Sequence, residues 1–83
     1  MKNLYVGNLA FTTTEQELRT LFETQGAVER VNMVMDKETG RTRGFAFVEM
    51  TNAGEADKAV TALSGSSLGG RTLKINEARD KRQ

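Results

Sequence analysis

Arg43-Gly44-Phe45-Ala46-Phe47-Val48-Glu49-Met50 is the stretch of this chain that decides its fold. β-Branched and aromatic residues fill it, and Thr39-Gly40 supplies turn chemistry just before it, so it reads as a strand. A strand sends alternate side chains to opposite faces. One face then carries Arg43, Phe45, Phe47 and Glu49, and the other Gly44, Ala46, Val48 and Met50. The second set is uncharged and suited to packing under helices. The first leaves two phenylalanines beside two charges, where burial in the core does not account for them.

Leu4-Tyr5-Val6-Gly7-Asn8-Leu9 alternates in the same way, with Leu4 and Val6 inward and Tyr5 outward beside Asn3 and Gly7. Together the two stretches resemble the RNA recognition motif. Its first signature runs Lys/Arg-Gly-Phe/Tyr-Gly/Ala-Phe-Val-x-Phe/Tyr, and residues 43–50 depart from it only at Met50. Residues 4–9 look like the second signature of that family, which any buried strand could imitate. The resemblance covers residues 3–78. Within the family the chain looks most like short bacterial RNA-binding proteins with a single such module.

Composition narrows the chemistry. A chain of 83 residues is one domain, near the size at which stability becomes marginal. We expect residues 1–78 to form it and residues 79–83 to be a short charged tail. There is no Cys and no His, which removes disulfides, the common zinc sites, thiol nucleophiles and imidazole bases together. The net charge of +1 is too small to indicate nucleic acid. Its distribution is more telling: residues 14–25 carry −2 and residues 52–64 carry −1, which leaves +4 on the remainder. No apolar run is long enough for a signal-peptide core or a membrane span, and a soluble cytoplasmic protein is expected.

Between the strands the helix signals are local. Thr14 with Glu17 makes a T-x-x-E capping box ahead of Leu18, Leu21 and Phe22, spaced i, i+3, i+4, and Gly26 stands where a helix would end. Phe11, before the cap, is expected in the core. Val28–Met35 reads as a strand with Val31, Met33 and Met35 on the core side and Asn32 and Val34 opposite. Residues 36–42 form a polar hairpin loop with Gly40 placed for a positive φ. Lys37 and Arg41 in that loop are either solvated or meet phosphates. Asn52 with Glu55 caps a second helix whose stripe is Ala56, Ala59, Val60 and Leu63, ending near Gly65. Residues 64–70 read as loop and Thr72–Asn76 as a last strand, with Leu73 and Ile75 inward. The order is βαββαβ. That is the α+β, ferredoxin-like arrangement of a four-stranded antiparallel sheet with two helices on one face, leaving the other face open.

On such a face Tyr5, Phe45 and Phe47 can stack unpaired bases, since every base has a π-face. Arg43 can pair with a phosphate. The resemblance supports RNA binding by Tyr5, Arg43, Phe45 and Phe47 directly, and less directly by Asn3, Asn32, Lys74, Asn76 and Arg79, because contacts at those positions vary with the RNA. It also implies that the strands bearing Tyr5 and the two phenylalanines are neighbours at the sheet centre. Met50 faces the core by parity, and Ser64 stands in a loop where many relatives have Asn, so neither departure touches the rings. The expected partner is single-stranded RNA, with single-stranded DNA as a second ligand, bound by a monomer without metal or cofactor. A module that covers the same face with a protein partner is the alternative. Enzymes of similar fold fit poorly: an acylphosphatase-like site needs an Arg after strand one, and Asn8-Leu9-Ala10-Phe11 has none. A thiol-based metal carrier is excluded by the missing cysteines.

Overall fold

The computed structural model describes residues 2–78. The chain runs β1 (Lys2–Gly7), α1 (Glu15–Glu23), β2 (Val28–Met35), β3 (Thr42–Met50), α2 (Ala53–Leu63), β4 (Ser67–Leu68), β5 (Arg71–Thr72) and β6 (Lys74–Glu77). Four of the strands form an antiparallel sheet in the order β2-β3-β1-β6. β1 and β3 therefore occupy its centre, as the family resemblance implied. The short strands β4 and β5 make a separate hairpin ahead of β6.

Both helices begin as the sequence indicates. The Thr14 hydroxyl accepts the Glu17 N–H (3.1 Å) while the Glu17 carboxylate accepts the Thr14 N–H (3.0 Å), completing the capping box. At α2 the Asn52 side chain accepts the Glu55 N–H at 3.0 Å. Each cap satisfies donors that the first turn leaves orphaned, and its loss costs about 1 kcal/mol. Leu18 and Phe22 of α1, and Ala56, Ala59 and Leu63 of α2, are buried against Leu4, Val6, Val48 and Met50 of the central strands. Among the described residues, the opposite side of those strands carries no helix. At the sheet margin the Lys2 ammonium reaches Asp57 of α2 (2.6 Å) and Glu77 of β6 (3.4 Å), and the Asp57 hydrogen bond raises its pKa above the usual lysine value.

Several expectations are corrected. Phe11 is 63% exposed, not in the core. β1 ends at Gly7, Asn8 turns left-handed (φ 62°), and Leu9 takes the buried place beside the sheet, where its N–H donates to the Gly44 carbonyl at 2.9 Å. The turn that follows carries Phe11 outward. Met35, expected inward, is 48% exposed, because the β2–β3 register shifts between Met33 and Met35 and sets Met35 opposite Thr42. Gly26 is not a left-handed cap: α1 stops at Glu23, with Thr24 bonded back to the Leu21 carbonyl. The Glu55 side chain lies over Gly26 instead, and its carboxylate accepts the Ala27 N–H at 3.1 Å. Residues 64–70 are not loop throughout, since Ser67–Leu68 pairs with Arg71–Thr72, so Thr72 belongs to this hairpin and the last sheet strand is Lys74–Glu77. Leu73 and Ile75 are buried as anticipated.

Candidate nucleic-acid interface

Residues directly opposite one another in an antiparallel ladder share a face, so the register composes the open surface row by row. Asn32 of β2 stands opposite Phe47 of β3, Phe47 opposite Tyr5 of β1, and Tyr5 opposite Asn76 of β6. This single row crosses all four strands. The next row sets Phe45, Gly7 and Lys74 side by side. On the other flank come Arg30, Glu49 and Asn3. The structure thus brings Tyr5, Phe45, Phe47, Asn3, Asn32, Lys74 and Asn76 onto one surface, all of them expected there. Arg79 lies outside the described residues.

The three rings form a near-equilateral cluster. Centroid separations are 6.0 Å for Tyr5–Phe45, 5.9 Å for Tyr5–Phe47 and 6.1 Å for Phe45–Phe47. Tyr5 and Phe45 incline to each other by 30°, close to an offset stack, while Phe47 meets both edge-on at 62° and 83°. Such geometries suit the ring quadrupoles and hold the rings against one another. All three remain half-buried, with no helix over them among the described residues. Gly7 is part of this arrangement. A Cβ at that position would lie 2.5 Å from the Tyr5 hydroxyl oxygen and 2.8 Å from a ring carbon, so the absent side chain is the space into which Tyr5 folds.

Charge on this face is sparse and mixed. Lys74 is exposed at the β6 edge. Glu49, which would repel a phosphate, is met by Arg30 at 3.4 Å. Arg30 was not singled out from the sequence, although its spacing from Asn32 is the signal that would have found it. Arg43 is exposed, but the alternation used to place it beside Phe45 does not run through Gly44, where φ is +103° next to a shift in the β2–β3 register. It lies with Phe11, Asp36, Thr39, Arg41 and Thr42 around a recess at the start of β3.

A four-stranded sheet that shows aromatic rings on the face away from its helices is the architecture of proteins that take unpaired bases on a sheet. Comparison with known proteins places the chain among RNA recognition motifs. A profile of the RNA recognition motif matches residues 4–74. The chain is 44% identical over 81 residues to RbpE, a candidate RNA-binding protein of Nostoc sp., covering 98% of this chain and 82% of RbpE. It is 48% identical over 73 residues to the chloroplastic 33 kDa ribonucleoprotein of Nicotiana sylvestris, covering 88% of this chain and 22% of that one. Among solved structures, the RNA-binding protein PG1 superposes with a TM-score of 0.91 at 38% identity over the whole of both chains. The Rna15 RNA recognition motif with bound RNA (GU) superposes at 0.86 with 32% identity, covering 94% of this chain and 83% of that one. The chain belongs to the RNA recognition motif family.

Proposed function

We propose that this protein binds single-stranded RNA, stacking successive bases on Tyr5, Phe45 and Phe47 and holding the backbone and base edges with polar groups around them. The observation that carries this reading is the row Asn32–Phe47–Tyr5–Asn76 with Phe45 beside it: three rings on the two central strands, flanked by amides on the two outer strands. Amides offer both donors and acceptors to the edge of a splayed base, and Lys74 and Arg43 supply cations for phosphates. Asn3 extends the face beyond Tyr5, and Arg79, which lies outside the described residues, is proposed as a further RNA contact. Family membership and the names of the bacterial relatives support RNA as the ligand. A flat sheet cannot reach bases inside a duplex, which motivates the preference for single strands. Single-stranded DNA offers the same π-faces and is a second ligand of the rings. The protein acts as a monomer in the cytoplasm, without metal, cofactor or catalytic step. Among the described residues no helix is long and apolar enough to cross a membrane.

The decisive test is titration of one unstructured RNA alone and annealed to its complement, at the same salt. Affinity should fall steeply on annealing. Equal affinity for the two forms would remove base stacking as the mechanism.

A further inference from the structure

Phe11 is the largest apolar side chain that the fold leaves in solvent, and nothing in the sheet-face site uses it. Its loop is not free to wander, because the Leu9 N–H holds it to the Gly44 carbonyl at 2.9 Å, beside the first residues of β3. The β2–β3 hairpin closes on the same place, with the Asp36 N–H donating to Arg41 (2.7 Å) and the Gly40 N–H to Asp36 (2.8 Å). Phe11 therefore forms one wall of the recess shared with Arg41 and Arg43. Among the described residues neither arginine is in an ion pair. The one carboxylate in the recess, Asp36, accepts the Glu38 N–H at 2.9 Å. Arg43, which lines the recess, is two residues from Phe45, so along β3 their Cα atoms lie within about 7 Å of each other.

We infer that Phe11 with Arg41 and Arg43 is an accessory nucleotide subsite, in which a base of the same RNA strand stacks on Phe11 after leaving the sheet and its phosphate meets the two guanidinium groups. This rests on the function proposed above and adds a contact beyond the sheet. RNA is favoured over a protein partner as the occupant by continuity with the ring face and by the two unpaired cations beside the exposed ring. An aromatic face with arginine at its side suits a base and its phosphate together.

The test uses the full chain, its Phe11→Ala and Phe11→Tyr variants, and two random-sequence RNA pools. One is about four nucleotides long, enough for the two or three bases that such a sheet stacks, and the other about nine. The parent should bind the longer pool more tightly. Phe11→Ala should weaken binding of the longer pool by about five- to tenfold, the low end of what one stacked base contributes, and leave the shorter pool within about twofold. Phe11→Tyr should restore the longer-pool affinity, and melting curves should coincide, since the ring is in solvent. If the parent binds both pools but Phe11→Ala binds the longer one unchanged, the subsite is overturned while sheet binding stands. A variant weakened equally on both pools overturns it too, as that marks a general change in the fold. A parent that binds neither pool sinks both readings.

Discussion

Substituting Gly7 by alanine should disable one ring of the site without touching the core. The new Cβ would stand 2.5 Å from the Tyr5 hydroxyl oxygen, with ring carbons at 2.8 and 2.9 Å. Carbon pairs are comfortable at about 3.5–4.0 Å, so the overlap approaches 1 Å across one side of the ring. The backbone at Gly7 is not in the left-handed region, so it accepts alanine, and the clash falls on the end of a flexible side chain. Tyr5 must swing away. Driving it off its preferred rotamer costs about 0.5–1.5 kcal/mol, and removing a glycine from the unfolded chain offsets about 0.4–1 kcal/mol of that. Stability should thus stay within about 1 kcal/mol of the parent. Binding should weaken by as much as truncating Tyr5 itself, about 1–3 kcal/mol, or up to a little over a hundredfold. Titration with a short unstructured RNA and thermal melts measure the two quantities separately. Tyr5 is the only tyrosine and the chain has no tryptophan, so its fluorescence reports this one ring. A double-mutant cycle closes the case: in a Tyr5→Ala background, Gly7→Ala should have almost no further effect on affinity. If the alanine costs as much there as in the parent, its methyl group obstructs the RNA directly and the supporting role assigned to Gly7 is wrong.

Two further outcomes follow from the same geometry. Phe22 is completely buried between α1 and the sheet, so Phe22→Ala should lose about 3–5 kcal/mol of stability, much of what so small a domain possesses; Phe47→Ala should melt within a few degrees of the parent and lose about 1–3 kcal/mol of RNA binding instead, and the reverse pattern in melts and titrations would mean that the two sheet faces are misassigned. Because few cations border the rings, about three phosphate contacts are expected, and log K should fall against log salt with a slope near −2, from about −0.7 per phosphate; a slope several times steeper would make charge, not stacking, the main source of affinity.

What the sequence determined by itself was everything set by short-range rules. The period-two alternation of residues 45–50 and of Leu4 to Val6, the two caps at Thr14 and Asn52, and the positive φ at Gly40 each depend on neighbours a few residues away, and each stands in the structure as the sequence indicates. The ring set was legible for the same reason, since a strand's parity separates Phe45 and Phe47 from Ala46 and Val48. Tertiary structure decided what parity cannot carry across a break. The left-handed turn at Asn8 gives the buried place to Leu9 and turns Phe11 outward. The register shift near Gly44 removes Arg43 from the simple alternation and exposes Met35. Gly26 and Gly7 owe their place to side chains that lie over them, Glu55 from 29 residues away in sequence and Tyr5 from two. The cross-sheet row Asn32–Phe47–Tyr5–Asn76 belongs to this second group. Its members come from four segments of the chain, and only the ladder of backbone hydrogen bonds, whose register depends on how the two helices seat on the far side, sets them abreast.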